Sequence, residues 1–166
     1  MSSESYQVDF LVLGSGIAGL SFALRAAQHG RVAVLCKGPA TLTNTSWAQG
    51  GIAAVWSSSD SVEKHVGDTV TAGAELADPS VVREILEDGR AAVEQLIEWG
   101  VCFDRGGSSG DYDLTMEGGH SARRILHSGD ITGAEIQRGL LAALSAHPQV
   151  EFFAGHVAID LVTERK

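Results

Sequence analysis

Apolar positions come in short runs near the start of the chain and at helical spacing later. Residues 8–13 (Val-Asp-Phe-Leu-Val-Leu) form a nearly continuous apolar run, the pattern of a parallel strand buried on both faces. Residues 20–28 predict a helix, with Gly30 placed to end it as a left-handed residue, and residues 31–35 predict a second strand. Strand, glycine turn, helix and strand within about 30 residues make a βαβ unit. Residues 36–59 are polar and glycine-bearing, interrupted by an apolar insert at 52–56, and loops of this length are usually functional. A helix is predicted over 61–74. Another starts with Asp78 as N-cap and Pro79 in its first turn; it carries Val82, Ile85, Leu86, Val93, Leu96 and Ile97 on one face and closes at Gly100. Residues 105–121 are again glycine-rich. Thr132-Gly133-Ala134-Glu135 has the form of a capping box opening a helix that runs to about Ala146. Strands are predicted over 150–153 and 156–162.

Composition narrows the class. With 166 residues, 44% of them hydrophobic, the chain suits one domain with a real core. The 20 glycines cluster in loops rather than in a repeat, so they signal tight turns and not disorder. A net charge of −9 excludes a nucleic-acid-binding surface, and Arg123-Arg124 is too small a basic cluster to supply one. No apolar run approaches the ~20 residues that span a bilayer, so no membrane association is expected. The first residues, Met-Ser-Ser-Glu-Ser, lack the regions of a signal peptide. Cys36 and Cys102 have neither metal-ligand spacing nor a disulfide framework, so no metal site and a reduced, cytoplasmic setting are expected.

Chemistry enters at Gly14-Ser15-Gly16-Ile17-Ala18-Gly19, between the first strand and the first helix. Gly14 allows the tight exit from the strand, Gly16 lets the backbone approach a pyrophosphate, and Gly19 lets helix and sheet pack closely. The helix N-terminus adds free amides and a partial positive charge. The expected fold is therefore a Rossmann-like α/β domain, a parallel sheet with flanking helices. The acidic residue that ends the second strand in ordinary NAD dehydrogenases is absent, and Cys36-Lys37-Gly38 stands there instead. Cys36 reads as a packing residue. A nucleotide-binding module without redox chemistry remains an alternative at this point.

Further on, Asn44-Thr45-Ser46-Trp47-Ala48-Gln49-Gly50-Gly51 resembles the flavin-side loop of the succinate dehydrogenase, fumarate reductase and L-aspartate oxidase flavoproteins. Cys36-Lys37-Gly38 is similar to the end of the second strand in that family. Glu117-Gly118-Gly119-His120-Ser121, Arg123-Arg124-Ile125-Leu126-His127 and Asp130-Ile131-Thr132-Gly133 resemble its L-aspartate oxidase branch.

The resemblance implies FAD as cofactor. Gly14, Ser15, Gly16, Ile17, Ala18 and Gly19 would cradle the pyrophosphate; Lys37 and Gly38 would lie near the adenosine ribose. Asn44, Thr45, Ser46, Trp47, Ala48, Gln49, Gly50 and Gly51 would wrap the flavin side, and Val157 and Ala158 would meet the adenine through their backbone. Asn44 replaces the histidine that bonds covalently to flavin in the dehydrogenase and reductase subunits, which implies non-covalent FAD. Glu117 is implied to orient the substrate ammonium group; without the resemblance it reads more readily as a solvated loop charge.

Branch members oxidise L-aspartate to iminoaspartate, with oxygen or fumarate as electron acceptor, in the first step of de novo NAD biosynthesis; quinolinate synthase would act next. The resemblance also implies that residues 1–166 are the N-terminal part of the FAD-binding domain, incomplete at the C-terminus. A capping domain, a helical domain and the catalytic base would lie elsewhere, and the piece would be inactive alone. A fumarate reductase or succinate dehydrogenase subunit is the competing enzyme. Among the other polar residues, His29, His65, His147 and His156 read as surface or capping groups, and Asp111 and Asp113 as solvated charges. Arg123 and Arg124 read either as site residues or as ion-pair partners.

Overall fold

The computed structural model describes residues 5–106 and 110–163. Strand β1 (Phe10–Leu13), helix α1 (Ile17–Ala26) and strand β2 (Val32–Cys36) form the expected βαβ unit. The two strands are parallel, with Val12 opposite Val34. Strand β6 (Val150–Ala154) joins the free edge of β2, also in parallel, giving the order β1-β2-β6. Alternate residues of a strand face opposite sides. Val12, Val32 and Val34 therefore turn together toward Leu20, Ala23 and Leu24 of α1 and Leu140 and Leu144 of α5 (Thr132–Ser145), in one buried cluster.

The opposite face corrects the expectation for β1. Leu11 is 54% and Leu13 60% exposed, because no described element packs on that side. Residues 156–162 form no strand either; beyond a single bond from the His156 amide to the Cys36 carbonyl they join no ladder, and Val157, Ile159, Leu161 and Val162 are all exposed. An extended segment gains the stability of a strand only from a partner.

Between β2 and α5 the chain builds a second layer. Strands β3 (Ile52–Ala53), β4 (Leu114–Thr115) and β5 (Ile125–Leu126) form an antiparallel sheet in the order β3-β5-β4. All three of these strands fall outside the sequence expectations, being too short to show a period. Helix α2 (Val62–Ala72) is capped by the Ser61 hydroxyl, which accepts from the Lys64 amide. The helix predicted from Asp78 to Gly100 is two: α3 (Pro79–Glu87) and α4 (Gly89–Glu98). The break falls at Asp88-Gly89, two poor helix formers in sequence. Asp78 caps α3 as expected, accepting from the Ser80 amide. Of the predicted apolar face, Val93 and Leu96 on α4 are buried, whereas Ile85 on α3 is 65% exposed. Arg83 of α3 pairs with Glu63 of α2. Gly30 is not left-handed; a Cβ there would press against the Asp9 carboxylate, and α1 ends instead at Ala27. No described helix is long and apolar enough to cross a membrane.

Candidate functional site: a nucleotide cleft and an acidic turn

The glycine turn behaves as its spacing requires. Gly14 has φ 102°, a left-handed conformation that favours glycine, and its amide donates to the Leu35 carbonyl at 2.8 Å. A Cβ at Gly19 would collide with the Gly14 carbonyl oxygen, so this residue sets how closely α1 meets the strand. Helix α1 has no side-chain cap from its own N-cap residue, Gly16. Its cap comes from the second loop, where the Thr45 hydroxyl accepts from the Ile17 amide at 3.0 Å. Among the described residues the amides of Ser15 and Gly16 have no such partner, and both residues line a cavity of about 480 Å³.

That cavity gathers residues from four separate stretches. Gly14, Ser15 and Gly16 form one wall, Lys37 and Gly38 a second, Asn44 and Thr45 a third, and Val157 and Ala158 a fourth. The last pair reaches the cleft without being part of a strand, because the His156 amide extends the ladder by donating to the Cys36 carbonyl. Seven of the ten residues expected at the adenosine and pyrophosphate are thus together; Ile17, Ala18 and Gly19 lie behind them in α1. Open amides at a helix N-terminus, glycines with no Cβ to block approach, and a cleft of this volume fit the adenosine diphosphate half of FAD.

Beyond Asn44 and Thr45, the flavin-side loop lies outside the cavity. It begins as a 3-10 turn at Thr45–Trp47, locked by Ser46, whose hydroxyl donates to the Thr43 carbonyl at 2.7 Å and whose amide donates to the Thr43 hydroxyl. Trp47 is 70% exposed and stacks on nothing described. Gly51 is pressed against Ile125 and the Leu126 carbonyl, so no side chain fits there. Gly50 faces Glu117: a Cβ at Gly50 would stand 3.6 Å from Oε1 and 3.7 Å from Oε2 of that carboxylate. The two stretches the sequence singled out separately are therefore neighbours in space.

Glu117 opens a tight turn. The His120 amide donates to the Glu117 carbonyl at 3.2 Å, and Gly119, with φ 85°, supplies the left-handed residue such a turn needs. Behind the turn lies a buried ion cluster. Arg124, with a fully buried side chain, donates from Nε and Nη2 to both oxygens of Asp60 at 2.8 Å and from Nη1 to Asp68 at 2.6 Å. Of the two alternatives for Arg124, the ion-pair role is the one the structure supports; Arg123 binds the Leu114 carbonyl instead.

Asp68 also accepts from the amide and hydroxyl of Ser121. The Ser121 amide first, and then the guanidinium, hold the Asp68 carboxyl down at about 2. The Arg124 hydrogen bond lowers Asp60 as well, and Asp60 in turn raises Arg124. His65 is not a surface group: it is 3% exposed, its ring centroid lies 5.6 Å from that of His120, and burial keeps its pKa below the usual value. Arg124 also donates toward His120 Nδ1 at 3.2 Å. A guanidinium has only donors, so His120 Nδ1 is the acceptor in this contact.

Two further expectations change. His127 lies 3.2 Å from Asp104 and 3.7 Å from Asp113, so Asp113 is not simply a solvated charge. The capping box at 132–135 does not form. Thr132 is already helical and its hydroxyl accepts from the Ser128 amide, while Glu135 accepts from the Cys102 amide and pairs with Arg138. Gln137, which the sequence reading passed over, is 2% exposed and bonds to Ser15, Ala40 and Thr43. Its signal was a polar residue three positions before Leu140 and seven before Leu144, on the buried face of α5. Among the described residues, no group of three or more His, Cys, Asp or Glu is placed to hold a metal ion.

These features define a class of nucleotide-binding flavoprotein domain. The chain belongs to the FAD binding domain family, which matches residues 9–166. Within the class, it is 49% identical over 170 residues to the L-aspartate oxidase of Pseudomonas aeruginosa, covering 99% of this chain and 32% of that protein. It is 49% identical over 155 residues to L-aspartate oxidase 2-a, chloroplastic, of Nicotiana tabacum, covering 93% and 24%. Among solved structures, E. coli quinol fumarate reductase superposes with a TM-score of 0.90 at 30% identity, covering 98% of this chain and 28% of that one. The chain thus spans 24–32% of the length of these curated relatives.

Proposed function

We propose that residues 1–166 form the N-terminal part of the FAD-binding domain of a protein that oxidises L-aspartate to iminoaspartate, with oxygen or fumarate receiving the electrons. Such a product would feed quinolinate synthase in de novo NAD biosynthesis, in a reduced cytoplasmic setting that suits the two free cysteines. The observation that carries the reading is the approach of the Glu117 carboxylate to Gly50 of the flavin-side loop. A carboxylate there complements an ammonium group through a charge-assisted hydrogen bond. A dicarboxylate without an amine has no use for it.

FAD, when bound, supplies the two-electron oxidation. The chain's own residues do the holding. Ser15 and Gly16 offer amides to the pyrophosphate, Lys37, Gly38, Val157 and Ala158 border the adenosine, and residues 44–51 border the flavin. Glu117 fixes the substrate amine. Asn44 has no nucleophilic nitrogen to form a bond to the flavin, so the cofactor is held without a covalent link.

The competing reading is a fumarate reductase or succinate dehydrogenase flavoprotein subunit, favoured by the structural likeness to the E. coli enzyme. One experiment separates them. The whole protein, purified with its yellow cofactor, is mixed anaerobically with L-aspartate or with succinate, and bleaching of the flavin absorbance is followed. Bleaching by aspartate alone is expected; bleaching by succinate alone supports the competitor, and bleaching by neither leaves the nucleotide-binding role only. Mass spectrometry of the denatured protein is expected to find no flavin adduct.

A further inference from the structure

Helix α2 presents three residues to the Glu117 turn at successive helical spacings. His65 sets its ring 5.6 Å from that of His120. Asp68, three positions on, takes both the amide and the hydroxyl of Ser121 on Oδ2, at 2.8 and 2.9 Å. Ala72, four positions further, lies 3.4 Å from where a Cβ on Gly119 would be. Residues at these spacings share one helix face, so a single stripe of α2 meets the turn along its length. The base of the turn is closed separately, by the Arg124 amide donating to the Thr115 carbonyl.

We propose that Asp68 is a positioning residue for substrate selection: it sets the orientation of Glu117 by clamping the far end of the turn through Ser121. The inference rests on the reading of Glu117 given above. Its physical basis is that one carboxylate oxygen accepts three bonds, two from Ser121 and one from Arg124, which also approaches His120. A buried ion pair is a poor source of stability, since apolar side chains of similar volume often serve as well. What this one does that apolar side chains could not is fix a polar backbone loop in one orientation. Asp60, bonded to the other side of the guanidinium, holds Arg124 in the plane that makes this possible.

The test uses the whole protein with FAD bound and the variants Asp68→Asn, Glu117→Gln and the double variant. Two readouts are taken: hydrogen exchange of the amides of 117–121, and KM and kcat for L-aspartate with succinate inhibition alongside. Asp68→Asn should speed exchange at Ser121 and His120 while leaving FAD affinity unchanged. It should also raise KM for aspartate about tenfold, the scale of one lost charge-assisted hydrogen bond, with little change in succinate inhibition. In the Glu117→Gln background it should add less than about twofold, because both changes act on one interaction.

Unchanged exchange over 117–121 overturns the clamp, whatever Glu117 does. Equal effects of Asp68→Asn in both backgrounds overturn its action through Glu117. Normal aspartate kinetics in Glu117→Gln refute the assignment of Glu117, and with it the action of Asp68 through that residue, while the exchange result still decides the clamp. Should Asp68→Asn not fold, Ser121→Ala removes the hydroxyl bond and keeps the charges; it is expected to show the same two changes at smaller size, and normal exchange with normal KM overturns the proposal.

Discussion

The side-chain amide of Gln137 donates to the carbonyl of Ser15 at 2.8 Å, tying α5 to the glycine turn across 122 positions of sequence. The same nitrogen donates to the Ala40 carbonyl at 2.9 Å, and the Gln137 oxygen accepts from the Thr43 hydroxyl at 3.0 Å. One side chain thus ties together two of the stretches that border the cavity, and each of its polar atoms has a partner.

This arrangement makes Gln137→Met informative. The thioether keeps the volume but leaves two carbonyls and a hydroxyl without their partner, at about 1–3 kcal/mol for an unsatisfied buried group. FAD affinity of the whole protein should fall about tenfold or more, measured by quenching of flavin fluorescence. An unchanged dissociation constant would refute the bolt.

Gly133 brings α5 against the flavin-side loop itself. Its amide donates to the Ala48 carbonyl at 3.0 Å, and a Cβ would collide with the Thr45 carbonyl and lie 2.8 Å from the Ala48 side chain. Gly133→Ala must push residues 45–48 away, with about 1–3 kcal/mol of overpacking. A lower thermal midpoint and weaker FAD binding are expected together. Retention of both values would mean that the loop moves freely.

Arg124 is held between two carboxylates, so removing it is worse than losing a neutral bond. In Arg124→Met, Asp60 and Asp68 remain partly buried without a counter-charge, a loss of about 3–5 kcal/mol. The thermal midpoint should drop by roughly 6–20 °C. The double change Arg124→Met with Asp68→Asn should recover part of that loss; failure to recover any of it counts against the charge argument.

The cluster also sets a pH dependence in two stages. His65 has a folded pKa below its usual 6.5, because burial disfavours the charged ring. Its contribution is therefore complete above pH 6.5 and declines as pH falls below that value. Asp68 is depressed from 3.8 to about 2, so its contribution is full above the ordinary value and is lost between there and about pH 2. Thermal midpoints taken across pH should show both stages, with His65→Gln removing the upper one and Asp68→Asn reducing the lower, to which Asp60 also contributes. A flat profile from pH 7 to 5 in the unmodified protein would remove the case for a buried neutral His65.

Local signals were reliable where the cause was local. The glycine turn, the Asp78 cap and the end of α5 all depend on backbone geometry within a few residues, and all appear as expected. The apparent capping box failed because Glu135 found a better partner in the Cys102 amide, 33 positions away. The predicted cap-to-cap helix broke at Asp88-Gly89, where two weak helix formers meet. The strand expected over 156–162 needed a neighbour that the described residues do not provide. His65 looked like a surface group because the pairing of α2 with the 117–124 segment is invisible in sequence.

The order of residues alone determined the βαβ unit, the phosphate-facing turn, and the two loops with Glu117 among them, since these follow from chain stereochemistry, apolar periodicity and side-chain type. Only the tertiary structure decided that Thr45 caps α1, that Gln137 joins the loops, that Asp68 grips Ser121, and that Glu117 faces Gly50. Each is a contact between segments far apart in sequence. Which distant groups meet is settled by how the helices and sheets pack around the shared core, and no local pattern carries that information.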